Sequence, residues 1–180
     1  MATQIAATIG SGGTYATWAT AEAALPASTI VSDEVWTFTV LGATASSGAT
    51  VTGTLMDVDH SVTFKGSGYA SHPGQWGCTY GGSSGIIVSG ASAYVYLTDV
   101  AFFARNGAGC VTSSGAASVV ICTRVICYGG NAESAAQGSN FICSGAAAVL
   151  TCNACMSLDA GTNANVGGFV VTAGTGTFNN

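Results

Sequence analysis

Along the second half of the chain, short runs alternate apolar and polar residues, and each run follows a small-residue step that contains glycine. Val88-Ser-Gly-Ala-Ser-Ala-Tyr-Val-Tyr-Leu-Thr-Asp-Val-Ala-Phe, Ser113-Ser-Gly-Ala-Ala-Ser-Val-Val-Ile-Cys-Thr-Arg-Val-Ile-Cys and Cys143-Ser-Gly-Ala-Ala-Ala-Val-Leu-Thr-Cys-Asn-Ala-Cys-Met-Ser align on Gly90, Gly115 and Gly145. A shorter copy, Thr172-Ala-Gly-Thr-Gly-Thr-Phe-Asn-Asn, extends the series to Gly174, so the anchors are spaced by 25, 30 and 29 residues. Repeats of this length stack as rungs, and stacking places equivalent side chains one above another.

The columns drawn through the alignment are the expected core. Five residues after the glycine stand Val95, Val120 and Leu150; seven after it, Leu97, Cys122 and Cys152. Ten after it come Val100, Val125 and Cys155; four before it, Ile86, Val111, Phe141 and Val170; Phe102 completes the set. The step of two between the first pair of columns is a strand's period. Thr98, Thr123 and Asn153, polar and one position on, mark a bend. Asp99 and Arg124 share the next column, which predicts an ion pair between adjacent rungs.

The first half is less regular. Val35-Trp-Thr-Phe-Thr-Val-Leu and Ser61-Val-Thr-Phe-Lys read as strands, being alternating and rich in β-branched and aromatic residues. An anchor at Ser47-Gly48 places Leu55 and Val58 in the core columns. Tyr15 to Leu25 reads as a helix stopped by Pro26, with Tyr15, Trp18, Ala21 and Leu25 closing the first rung. The pattern predicts an all-β chain: one domain over 1–180, a right-handed, single-stranded parallel β-helix of about five or six rungs. Residues 1–32 form its expected N-terminal cap, with a helix over 15–25, and 33–180 its rungs.

Composition narrows the function. Charged residues are 6% of the 180, hydrophobic ones 48%, and 26 are glycine, which excludes charge-driven disorder. Lys65, Arg105 and Arg124 are the only basic side chains at a net charge of −5, too few to neutralise phosphates, so neither nucleic acid nor an anionic membrane is an expected partner. The start, Met1-Ala-Thr-Gln-Ile-Ala-Ala-Thr-Ile-Gly-Ser-Gly, has no basic residue ahead of its apolar run and is not patterned as a signal peptide, so cytosolic synthesis is expected. Phe141 to Leu158 is free of charge but broken by Gly145, Thr151 and Asn153, a poor membrane span.

Few residue clusters offer chemistry. Asp57-Val58-Asp59-His60 has acid/base and metal-ligating groups, yet reads first as a solvated turn. Cys152-Asn-Ala-Cys155 has the spacing of half a zinc site, with Cys122 and Cys127 as conceivable further ligands; the columns favour instead a ladder of buried thiols. Gly-Ser-Gly-Gly at 10–13 lacks the lysine of a phosphate loop and reads as a cap turn. Tyr69, His72, Trp76 and Tyr80 lie in a stretch that could offer aromatics to a sugar or a protein neighbour. No catalytic residue, cofactor or metal site is expected, and the chain is not expected to be an enzyme.

Ile9-Gly-Ser-Gly-Gly-Thr-Tyr-Ala-Thr-Trp-Ala-Thr-Ala-Glu-Ala-Ala-Leu followed by Val35-Trp-Thr-Phe-Thr-Val-Leu-Gly resembles the opening of pectin-lyase-like parallel β-helix proteins, including phage virion proteins of that class. The resemblance covers about residues 5–45. It implies the β-helix fold; together with the short rung stack, the lack of a visible catalytic set, the start without an export pattern and the low charge, it leads to the expectation of a virion location and a structural role, a capsid decoration or cement protein made in the host cytoplasm. Its implied partners are further copies of itself, a trimer being the expected oligomer, and the major capsid protein or another virion protein. A glycan-binding or glycan-cleaving tailspike is the alternative. An ice-binding solenoid would need a regular threonine array, which the column Thr98, Thr123, Asn153 does not offer.

Overall fold

The computed structural model describes residues 1–41, 44–45, 49–67, 78–80, 85–104, 109–129, 140–158 and 168–179. The chain enters through β1 (Thr3–Ile9), then turns through two short helices, α1 (Trp18–Glu22) and α2 (Thr29–Ser32). It then winds repeatedly through three strands per turn. These are β2 (Glu34–Val40), β3 (Thr44–Ala45), β4 (Thr50–Val51); β5 (Val62–Gly66), β6 (Cys78–Tyr80), β7 (Ile86–Val88); and β8 (Tyr94–Thr98), β9 (Ala101–Ala104), β10 (Val111–Ser113). Next come β11 (Val119–Thr123), β12 (Ile126–Gly129), β13 (Phe141–Cys143); β14 (Val149–Asn153), β15 (Met156–Leu158), β16 (Phe169–Val171); and finally β17 (Thr175–Asn179). Every pairing is parallel, in sheets ordered β1-β2-β5-β8-β11-β14-β17, β4-β7-β10-β13-β16 and β3-β6-β9-β12-β15. The fold is an all-β, parallel β-solenoid.

Registry turns the sequence columns into packed ladders. In the long sheet Phe38, Phe64, Leu97, Cys122, Cys152 and Phe178 are successive partners, and beside them Trp36, Val62, Val95, Val120, Leu150 and Gly176. The opposite wall contributes Ile86, Val111, Phe141 and Phe169, and Val51, Val88, Ser113, Cys143 and Val171. Ile86, Val95, Leu97, Val100, Phe102, Val111, Val120, Cys122, Val125, Phe141, Leu150, Cys152 and Cys155 are all buried in one core. Close stacking needs glycine at the corner. A methyl group on Gly115 would run into the carbonyl oxygen of Gly90 in the rung before.

The long sheet bends into its neighbour one residue beyond the polar column, at Asp99, Arg124 and Ala154, which take φ of 55°, 53° and 50°. Arg124 forks Asp99 there, Nε to Oδ1 at 2.5 Å and Nη2 to Oδ2 at 2.7 Å. The ion pair expected from the columns is present.

Five expectations need correction. The helix expected over 15–25 is Trp18–Glu22, held by a capping box between Thr17 and Thr20, and Thr29–Ser32 forms a second helix. Residues 1–32 are not only a cap, because Thr3–Ile9 is a full strand of the long sheet, paired with Glu34–Val40. Val170 is half-buried, and Phe169 occupies the column assigned to it. The path from Val171 to Thr175 is shorter than that from Cys143 to Val149, so Gly174 lies against Ala148 rather than continuing Gly90, Gly115 and Gly145 in step. Leu55 and Val58 are exposed; Phe64 takes the column position, because residues 52–61 make a detour before β5.

Phe141 to Leu158 folds as β13, β14 and β15, and no helix among the described residues is long and apolar enough to cross a membrane.

Candidate functional site

At the N-terminal end, α1 takes the place of strands in the first turn and drives Trp18 into the interior. Its indole stacks on Phe64 at 4.8 Å and tilts against Phe102 at 5.5 Å, while Phe38 stacks on Phe64 at 5.1 Å and Tyr15 meets Phe38 edge-on at 5.9 Å. Ala21 is buried beside them, and Tyr15 and Leu25 pack against the core. Aromatic pairs of this geometry add to the burial they make.

At the C-terminal end the inner columns run out. Phe178, Val171 and Phe169 are the last members of three of them, with nothing stacked on their far side among the described residues. Gly176 leaves the interior empty under Leu150, and the side chains of Val171 and Phe178 lean into that space. Phe169 stacks on Phe141 at 4.7 Å and meets Phe178 at 4.4 Å. The aromatics close the end only in part: Phe178 is 38% exposed and Val171 43%. Met156, on the last strand of its own sheet, is 51% exposed.

A second exposed apolar group lies over the first turns. Ile30 and Val31 project from α2, and Leu55 and Val58 from the detour before β5. The two segments are tied by the bridge Ser28 to Leu55 and by the Thr29 hydroxyl, which donates to the carbonyl oxygens of Leu55 and His60. This patch is bordered by carboxylates, whereas residues 168–179 at the C-terminal end contain no charged side chain.

Asp57, Asp59 and His60 form a strap beside that patch. The Asp57 carboxylate accepts the backbone N–H groups of Asp59 (3.0 Å) and His60 (2.9 Å), which is turn chemistry. The His60 ring lies between two carboxylates, Nδ1 at 2.7 Å from Asp57 and Nε2 at 3.1 Å from Asp33. Only the imidazolium donates from both nitrogens, so the hydrogen bond to Asp57 raises the His60 pKa above 6.5, and the bond from His60 lowers that of Asp57 below 3.8.

The six cysteines whose side chains are described, Cys110, Cys122, Cys127, Cys143, Cys152 and Cys155, are buried free thiols. Cys110 faces Asn140, whose amide also donates to the carbonyls of Cys127 and Leu158 and to the Ser157 hydroxyl. Cys122 and Cys152 are in-register neighbours on β11 and β14, and the Cys155 thiol donates to the carbonyl oxygen of Asn153 at 3.4 Å. Among the described residues no group of His, Cys, Asp or Glu is arranged to hold a metal ion, the Cys122, Cys127, Cys152 and Cys155 combination included. Tyr69, His72, Trp76 and the Tyr80 side chain lie outside the described residues, as does Arg105. The outer column Thr37, Thr63, Tyr96, Ile121, Thr151, Thr177 is interrupted in the middle and is no regular threonine array.

No protein-family model, no curated protein and no solved structure matches the chain. The parallel β-solenoid is present, and the expected kinship with the pectin-lyase-like class has no support from these comparisons.

The two apolar patches were not legible as such. Phe178 and Val171 continue buried columns, and their place at the end of each sheet exposes them, whereas Met156 continues the half-buried position of Ile126.

Proposed function

We propose that the chain is a structural virion protein, a phage capsid decoration or cement subunit that stabilises a shell as a symmetric homo-oligomer, a trimer being the expected form. The observation that carries this reading is the gathering of exposed apolar side chains into two separate patches, one on the first turns and one at the C-terminal end. A subunit that joins both its own copies and a shell needs two such faces.

The C-terminal end fits other copies of the chain, because residues 168–179, which carry Phe178 and Val171, contain no charged side chain to desolvate. Its outermost strands also carry backbone groups without a neighbour in their sheets, and association would cover them. The patch of Ile30, Val31, Leu55 and Val58, bordered by Asp33 and Asp57, fits a shell protein that supplies complementary donors.

Light scattering of the purified chain, followed by co-sedimentation with candidate capsid particles, tests the reading. It predicts a discrete oligomer that saturates the shell at fixed stoichiometry. A monomer that ignores shells contradicts it, and specific retention on a glycan array would turn the reading to a tailspike-like protein.

A further inference from the structure

The net charge of the chain is gathered in its first turns. Glu22, Asp33, Glu34, Asp57 and Asp59 are five of its eight acidic side chains, and residues 1–60, which hold them, contain no lysine or arginine. Over residues 61–180 Asp99, Glu133 and Asp159 are matched by Lys65, Arg105 and Arg124, so the whole formal charge of −5 belongs to the first 60 residues. Those residues also carry the exposed apolar group of Ile30, Val31, Leu55 and Val58. Asp33 follows α2 as its C-cap, and Asp57 and Asp59 flank Val58.

The face is fixed before anything binds it. Buried Thr29 donates its N–H to the Leu55 carbonyl at 3.1 Å and its hydroxyl to the carbonyls of Leu55 and His60, and the Leu55 N–H donates back to Ala27 at 3.1 Å. His60 holds Asp33 and Asp57 through Oδ1 of each, and Asp57 Oδ1 also takes the N–H groups of its turn. Oδ2 of both carboxylates accepts no hydrogen bond among the described residues, and both side chains stay open to solvent, as does Asp59. Four apolar side chains are too few to hold a partner by burial alone, so the carboxylates decide which partner fits. A second copy fits poorly. It brings like charge on its own first turns, no charged side chain over 168–179, and only three basic side chains in all, of which Arg124 is forked to Asp99.

We propose that this face docks a basic protein surface, one that lays apolar side chains on Ile30, Val31, Leu55 and Val58 and sets lysine or arginine against Asp33, Asp57 and Asp59. Cations at the rim compensate the carboxylates for the water they lose, which an apolar or acidic partner would not do. The field of the acidic turns also draws a basic surface in and orients it, an effect that salt weakens. The neutral C-terminal end has no such field, so the two exposed patches select different partners. The proposal rests on the reading of this patch as the shell-facing one, and adds the sign of charge that the shell presents there.

The probe is an amphipathic peptide of leucine and lysine, with a leucine and glutamate peptide of the same pattern as its counterpart, and fluorescence anisotropy of the labelled peptides reads binding to the folded chain. The lysine peptide should bind about tenfold or more tighter, with the advantage shrinking in high salt. Val31→Ser with Val58→Ser should weaken it about tenfold or more, and Asp59→Asn about two- to fivefold. These three side chains are exposed, so the core is untouched, and circular dichroism checks the fold. Asp99→Asn removes the same charge at the opposite end of the long sheet's strands and should leave binding unchanged. Equal affinity for the two peptides, or a preference that survives the double valine variant, would overturn the proposal. Co-sedimentation with capsid particles separates it from the shell reading. Particles that bind the parent and the double valine variant alike overturn the docking face and leave the shell reading standing, whereas a patch-dependent preference for the basic peptide with no particle bound supports the face and contradicts the shell reading.

Discussion

Phe178 lies in register with Cys152 as the last member of the inner column that runs from Ala7 through Phe38 and Phe64. Aromatic rings stand toward both ends of the column, but they face different surroundings. Phe38 and Phe64 are sealed by Trp18 from α1 and by Tyr15, while Phe178 packs on Phe169 and is 38% exposed. Truncation of Phe178 should therefore cost less than truncation of Phe64. Phe64→Ala should lose about 3–5 kcal/mol by opening a cavity, and Phe178→Ala about half of that or less. Urea unfolding under conditions that keep the chain dissociated would compare the two.

Leu97 and Phe102 stand in the middle of the ladder and are fully or almost fully buried, whereas Asp59 is exposed in the 57–60 turn. Leu97→Ala and Phe102→Ala should each cost about 2–5 kcal/mol, and Asp59→Asn less than about 0.5 kcal/mol. Thermal unfolding of the three variants checks this, and equal losses would contradict the column assignment.

Ala154 holds φ of 50° at an exposed corner, a conformation that a Cβ disfavours. Ala154→Gly should stabilise the fold by about 0.5–1 kcal/mol even though it removes a side chain. At the equivalent corner Arg124→Ala should lose at most about 1 kcal/mol, with the loss shrinking in high salt, because Arg124 is half exposed in its pair with Asp99. Matched denaturation curves at low and high salt read both effects.

The strap of His60, Asp57 and Asp33 predicts a pH dependence of definite sign. His60 is raised by its hydrogen bond to Asp57, so its contribution is complete below 6.5 and is lost as pH rises through the folded pKa. Asp57 is lowered by the bond from His60, so its contribution is present above 3.8 and is lost as pH falls through its folded pKa. The difference in Tm between the parent and His60→Gln should be largest between those limits and should fade in alkaline solution. A difference that grows toward alkaline pH would contradict the geometry.

The repeat was legible where each side chain carries information. Leu97, Cys122 and Cys152, and the Asp99 and Arg124 pair, could be read because their apolar and polar neighbours alternate without ambiguity. Phe169-Val-Val could be set in either of two registers, since all its residues are apolar, and the shortened turn before Gly174 moved the anchor. Thr3 to Ile9 hid its strand behind alanines and threonines that alternate weakly.

The central claim is that the neutral C-terminal end is covered by other copies of the chain. Sedimentation velocity of the parent and of Phe178→Asp, with circular dichroism to establish that both are folded, tests it most directly. The account predicts a discrete oligomer for the parent and a folded 17.6 kDa protomer for the variant. A parent that sediments as a protomer at every concentration, or a folded variant that assembles as the parent does, would contradict it.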